Sequence, residues 1–243
     1  MTTATLPTRR DEDFRYSDLA ALETVWPVPR ETIAVAAGES AQLTLVPEGA
    51  RVARHLVITL GVGARFDLRL LNAGHAFGRI AVEVTLAESA DFTLGAAQLG
   101  GGGETLEIVT EVTHAAPDAT SRQVIRSVLA GSATGSYLGR VAVARGANGT
   151  DAGQSVRAML LDRTATANAR PELEIYADDV KCAHGCAVGE LDAAGLFYLE
   201  SRGLPPAEAK KLMLQAFVAE AFTGAPDEAA LSEQALAALA GLL

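Results

Sequence analysis

The stretches Ala64-Arg65-Phe66-Asp67-Leu68 and Ala90-Asp91-Phe92-Thr93-Leu94 share one pattern, with Ala64 matched by Ala90, Phe66 by Phe92 and Leu68 by Leu94. Each places Ala, Phe and Leu at alternate positions, so the three side chains fall on one face of an extended strand. Recurrence at such a spacing is what stacked coils produce. Around this pair, from about residue 32 to about residue 191, short β-rich pieces follow one another: Ala41–Val46, His55–Leu60, Ala64–Leu70, Arg79–Leu86, Ala90–Leu94, Thr105–Thr113, Ser121–Leu129, Gly135–Ala144 and Glu172–Ala177. Gly, Asn, Asp or Ala-Gly pairs separate them, and no helical pattern of ten residues interrupts the series. A sandwich, a barrel or a β-helix satisfies this texture. Aromatics make up only 5% of the chain, which suits a narrow core of stacked aliphatics. Tight-hairpin signals are missing except at Asn148-Gly149. Both features favour a parallel β-helix. Coils of roughly 20–26 residues predict about six or seven turns, a rod about 30 Å long at ~4.8 Å per turn.

The flanks read differently. Before residue 32 the chain is polar, with one short helix expected after Ser17 as cap, placing Leu19, Leu22 and Trp26 near one face and ending at Pro27 and Pro29. After Leu191, Asp192 caps a helix that runs to Gly203. Pro205-Pro206 opens a second, with Leu212, Met213, Ala216 and Phe217 on one face and Gly224 at its end. Pro226-Asp227 opens a third. So small a helical unit cannot bury its apolar faces alone and must pack on the β domain or on a partner. The expected organisation is a short N-terminal segment (1–31), a β-helix core (32–191) and a small C-terminal helical domain (192–243).

Composition narrows the function. The 243 residues carry a formal net charge of −10, which disfavours a phosphate-rich nucleic-acid partner. The opening residues lack the apolar core of a secretory signal. The longest apolar run, residues 235–243, is less than half of the ~20 residues a membrane span needs. A cytoplasmic protein without membrane or nucleic-acid partners is expected. The two cysteines, Cys182 and Cys186, form no disulfide framework, which leaves packing, metal or redox roles.

Both cysteines stand in the segment Tyr176-Ala177-Asp178-Asp179-Val180-Lys181-Cys182-Ala183-His184-Gly185-Cys186. In an extended strand Cys182, His184 and Cys186 share a face. Thiolate and imidazole suit iron or zinc. Donors on one tetrahedral ion lie within about 4 Å of each other, whereas residues 182 and 186 are ~13 Å apart along a straight strand. Two neighbours can share an ion, but all three cannot unless the strand bends at Gly185. An open half-site completed by another chain fits better than a closed site. Val180 and Val188 lie on the same face, so either thiol can equally be a small core filler.

Elsewhere the chemistry is sparse. His55, His75 and His114 have no close Cys or His neighbours and read as structural histidines. The run Gly100–Gly103 lacks a following Lys-Ser/Thr, so it reads as a turn and not a phosphate loop. Asp178-Asp179 reads as turn residues, and no nucleophile elbow is present. No nucleotide site and no catalytic residues are expected.

The stretch Arg170-Pro171-Glu172-Leu173-Glu174-Ile175-Tyr176-Ala177-Asp178-Asp179-Val180-Lys181-Cys182-Ala183-His184-Gly185 resembles the signature of the SufB/SufD family, its SufD branch in particular. SufB proteins carry something like Glu-His-Glu at that place. The resemblance extends to the segments beginning at Pro7, His114, Gly139 and Leu196. It is close from His114 to Phe222 and weak between Thr32 and Thr113. It implies a right-handed parallel β-helix with a helical C-terminal domain, working as a non-catalytic subunit in iron–sulfur cluster assembly. It implies a SufB-type partner joined through the β-helices and a SufC ATPase docked on the C-terminal helices. A transient cluster or iron would sit at the subunit interface, with Cys182 and His184 as this chain's share. Cys186 stands where the family usually has Ala, so it inherits no role and enters only as a weak candidate ligand. Ala183 and Ala187 stand where Ser and Thr are usual, and the N-terminal helical region is shorter than in many members. Two other readings stay open: a homodimeric zinc- or iron-binding β-helix, and a carbohydrate-active β-helical enzyme, which the single Trp and four Tyr disfavour.

Overall fold

In the computed structural model, residues 5–243 are described; the first four residues of the expected 1–31 segment lie outside them. Twelve strands in that range wind into two parallel sheets of six. One sheet contains β1 (Arg30–Val35), β3 (Arg51–Leu60), β5 (Phe77–Leu86), β7 (Thr105–His114), β9 (Thr134–Val143) and β11 (Thr166–Ile175). The other contains β2 (Ser40–Leu45), β4 (Arg65–Ala73), β6 (Asp91–Gly100), β8 (Thr120–Leu129), β10 (Asp151–Leu160) and β12 (Lys181–Gly189). Consecutive strands alternate between the sheets, so each pair of strands makes one turn of a solenoid of about six turns. Five spacings of ~4.8 Å give a stack about 24 Å tall.

The two opening stretches are consecutive coils of one ladder: Phe66 lies beside Phe92 and Leu68 beside Leu94. Their side chains point inward and are almost fully buried. The lumen they fill is aliphatic for most of its length, with Leu56, Ile58, Ile80, Val82 and Val84 opposite them. Each such side chain, fully buried, contributes about 1.5–3 kcal/mol.

The later coils are longer than expected. The step from Arg30 to its partner His55 falls within the expected range, but the step from Thr134 to its partner Thr166 exceeds it. The six-residue strands of the first coil give way to ten-residue ones, and the turn before β10 grows to residues 144–150. Strands β1 and β10 were not expected. The latter contains Gly153, Gln154 and Ser155, which have little intrinsic strand preference. It is extended because β8 and β12 hydrogen-bond it from both sides. The run Gly100–Gly103 is a turn: β6 ends at Gly100, and Gly102 takes a positive φ of 56°.

At the N-terminus, α1 (Leu19–Glu23) is capped by Asp18, whose carboxylate accepts from the Ala20 and Ala21 amides at 3.1 and 3.0 Å. Ser17 is therefore not the cap. It is buried and donates to Glu107 at 2.7 Å, beside the Arg79–Glu107 ion pair at 2.5 Å. A buried ion pair needs extra hydrogen bonds to offset its desolvation, and Ser17 supplies one. Of the expected apolar face, Leu22 is fully buried while Leu19 and Trp26 are half-buried.

The C-terminal helices are α2 (Ala193–Ser201), α3 (Pro206–Ala219) and α4 (Glu228–Ala240). Asp192 caps the first as expected, accepting from Ala194 and Gly195. The buried face of α3 differs from the expected one: Ala209, Leu214 and Val218 point inward, whereas Leu212 is exposed. Periodicity alone could not choose between overlapping apolar stripes; contact with the second sheet did. Leu214, Val218, Phe222, Leu231 and Leu239 pack on Leu71, Ala97, Leu99 and Val128, on the sheet's outer face. Two arginines pin the unit down. Arg69 Nη1 donates to the Ala221 carbonyl at 2.9 Å, and Arg126 donates to Glu220 at 2.8 and 2.5 Å.

Candidate functional site at the open end of the solenoid

The last coil consists of β11 and β12, and each is the edge strand of its sheet. In β10 the inward positions are Ala152, Gln154, Val156 and Ala158, all buried. Parallel register stacks Cys182 on Ala152, His184 on Gln154, Cys186 on Val156 and Val188 on Ala158. The trio read from the sequence does share one face, and that face looks into the end of the lumen. Among the described residues no further strand covers it. His184, Cys186 and Val188 are exposed; only Cys182 is half-buried, packed with Val180 against the aliphatic core.

Both thiols are free. Burial pushes the Cys182 thiol up, against a backbone hydrogen bond from Ala152 that favours the thiolate, with Asp151 raising it further. A metal ion bound there would have to displace the proton. The Cys186 sulfur lies 4.0 Å from the Ala169 carbonyl. Among the described residues no three His, Cys, Asp or Glu side chains converge on a point where an ion could sit. The described residues at this end therefore do not by themselves form a closed site. Ile175 and Tyr176 are exposed where β11 ends, and Val188 is exposed near the far end of β12. Exposed apolar side chains beside an unpaired strand edge are features of contact surfaces.

The other histidines are structural. His55 meets Glu83 at 2.7 Å, His75 meets the Gly49 carbonyl at 2.6 Å, and His114 meets Ser121 at 2.9 Å inside the lumen. Burial lowers the His114 pKa to about 4, against a backbone hydrogen bond to Ala119. A groove of about 720 Å³ crosses the outer face of the first sheet beneath the N-terminal segment. Many of its charges are paired: Arg30 with Glu83, Arg140 with Glu111 and Glu174, Arg170 with Glu12 and Glu172.

A buried polar cluster in the lumen was not anticipated. Thr110 Oγ1 donates to Gln123 Oε1 at 3.1 Å and lies 3.0 Å from the Tyr137 hydroxyl, to which Gln154 Nε2 donates at 3.1 Å. Gly139 is part of this arrangement, since a Cβ there would overlap the Tyr137 hydroxyl and lie 2.6 Å from its ring carbon Cε1. Burial raises the Tyr137 pKa, so the phenol stays neutral. Gln123, Gln154 and His184 occupy one register position in three successive coils. Their spacing carried the signal, but only once the coil length is known.

Comparison with known proteins bears on this geometry. Residues 30–217 match the family model described as SUF system FeS cluster assembly, SufBD core domain. The chloroplastic protein ABCI7 of Arabidopsis thaliana is 32% identical over 187 residues, covering 74% of this chain and 38% of the relative. The iron–sulfur cluster assembly protein SufD of Escherichia coli is 35% identical over 134 residues, 55% of this chain and 31% of the relative. Its Bacillus subtilis counterpart is 32% identical over 130 residues, 54% and 30%. The matching stretch thus spans only 30–38% of the length of these relatives.

Proposed function

Because the chain belongs to the SufBD core family of the SUF iron–sulfur cluster assembly system, we propose that it is a non-catalytic scaffold subunit whose open solenoid end pairs with a SufB-type subunit. The observation that carries this reading is the exposure of His184 on the lumen face of the edge strand β12. An imidazole held there beside a thiol supplies part of a coordination sphere and leaves the rest to a neighbour. The neighbour's ligands would complete a site for iron or for a nascent cluster, which is cargo and not a resident cofactor. His184 is the principal ligand in this proposal. Cys182 assists as thiolate, and Cys186 is a weak third.

The C-terminal helices fit the docking of a SufC-type ATPase. Phe197, Tyr198 and Leu212 are exposed there, and large apolar side chains left in water mark contact surfaces. Arg69 and Arg126 tie the helices to β4 and β8. A partner that moved them on hydrolysing ATP would pull on the sheet whose edge carries His184. No helix among the described residues is long and apolar enough to cross a membrane, and we place the complex in the cytoplasm. The same exposed edges give an isolated chain a route to pair with a second copy.

The test is anaerobic co-expression with SufB-type and SufC-type subunits. A stable complex with a sulfide-to-iron absorption band is expected, and His184→Ala should cut cluster formation at least tenfold while the complex still assembles. Clusters formed at the wild-type level by the His184→Ala complex would sink the proposal.

A further inference from the structure

The ladder that ends at His184 changes character along the solenoid. Its inward positions are Leu43, Leu68, Leu94, Gln123, Gln154 and His184 in successive coils. Three leucines give way to two amides and an imidazole toward the open end. Gln123 and Gln154 are only 1% and 4% exposed. A buried amide with an unmet hydrogen-bonding group is destabilising, so a core built for stability alone would have continued with leucine.

The Gln154 amide is half satisfied. Its Nε2 donates to Tyr137, while its Oε1 is buried without a partner. The side chain directly in register on its outer side is His184, one strand spacing of ~4.8 Å away. The exposed imidazole is free to turn, and a neutral imidazole carries one N–H donor and one lone-pair nitrogen. Gln123 Nε2, one coil deeper, also lacks a partner and is the competing donor for the same carbonyl.

We propose that Gln154 is a positioning residue for His184: its buried Oε1 accepts a hydrogen bond from one ring N–H of the imidazole and so holds the tautomer whose other nitrogen faces out of the solenoid end. This rests on the reading of His184 as a ligand. A metal-binding histidine whose second nitrogen is anchored keeps its ring orientation and gains basicity. Loss of such an anchor typically weakens metal affinity about 10–100-fold. Tyr137 fixes the amide from the other side, so the chain from the lumen to the open end is Tyr137, Gln154, His184, with Gly139 leaving room for the phenol.

The ring ¹⁵N resonances of His184 in the metal-free, full-length protein report the populations of the two neutral tautomers. One tautomer is expected to dominate in the wild type and in Gln154→Glu, which keeps an acceptor. In Gln154→Leu the populations should relax to those of an unanchored, water-exposed imidazole. Gln123→Leu disturbs the same buried cluster one coil deeper and should leave the tautomer unchanged. Titration with Co(II) should show affinity at least tenfold weaker for Gln154→Leu than for the wild type. Wild-type populations matching those of an unanchored, water-exposed imidazole, or no change in Gln154→Leu, would overturn the inference. So would a Gln123→Leu variant that scrambles the ring as much, because the effect would then be a loosened lumen. The tautomer result does not depend on cluster formation, so normal assembly by the His184→Ala complex would remove the ligand reading separately.

Discussion

Replacing Gly95 with alanine should lift the helical unit off the solenoid. Gly95 is on the outward face of β6, and a Cβ added there would overlap the Ala221 carbonyl oxygen, with the carbonyl carbon at 3.0 Å and Arg69 Nη1 at 2.6 Å. The obstacle is backbone, so no rotamer change relieves it. Phe222, next to it, and Val218, a turn earlier, are buried, so the turn between α3 and α4 must move as a body. Two costs follow. Overpacking a tight contact costs about 1–3 kcal/mol. Breaking the 2.9 Å bond from the Arg69 guanidinium to Ala221 removes a charged hydrogen bond worth about 1.5–3 kcal/mol. The sum is about 2.5–6 kcal/mol. At roughly 2–4 °C per kcal/mol for a chain of this size, Tm should fall by at least about 5 °C. Hydrogen exchange should accelerate in α3 and α4 more than in β6 and β8. Gly185→Ala is the control, because a Cβ there meets nothing within 4 Å; it should change stability by no more than about 0.5 kcal/mol. A Gly95→Ala protein that melts within about 2 °C of wild type, with unchanged helix protection, would refute the reasoning.

Acid stability should depend on His114. Its folded pKa of about 4 lies below the ordinary 6.5, so between those values the unfolded chain binds a proton that the folded chain refuses. Stability is then fully present above about pH 6.5 and falls by about 3 kcal/mol on the way to pH 4. Urea titrations across that range should show His114→Gln flattening the slope, and an unchanged slope would count against it. Asp151 and Glu31, whose carboxyls are held low chiefly by hydrogen bonds from Arg122 and Arg54, lose their contributions only at more acid pH. The Arg126–Glu220 contact should be asymmetric. Arg126→Ala removes the bonds to the Ile125 and Ser155 carbonyls together with the ion pair, whereas Glu220→Ala leaves Arg126 bonded to both and to the Ser155 hydroxyl. The arginine change should cost about 2–4 kcal/mol and the glutamate change about 1 kcal/mol; equal losses in denaturant titrations would show that the guanidinium does not hold the helices.

Much of the architecture was legible. Ala-x-Phe-x-Leu recurring at positions 64 and 90 marked coil stacking because inward side chains repeat once per turn, and Phe66 does lie on Phe92. Asp192 and Pro205-Pro206 marked their helices because capping is a local transaction between a side chain and the next few amides. The shared face of Cys182, His184 and Cys186 followed from strand pleating alone. Less legible was β10, whose Gly153, Gln154 and Ser155 are extended only because strands on both sides supply the hydrogen bonds. The buried stripe of α3 went unread because leucines lie on more than one of its faces.

By itself, then, the amino-acid order determined that the chain winds as a β-helix, where its helices begin, and that a thiol and an imidazole share one side of a strand. These are consequences of strand and helix periodicity and of local caps, which act over a few residues at most. Only the tertiary structure decided that no strand among the described residues covers this one, that its lumen face is exposed, and that Gln154 and not another leucine lies under His184. Exposure and partnership at the end of a solenoid depend on residues a full coil away in the chain, brought into register by the length of every turn between them.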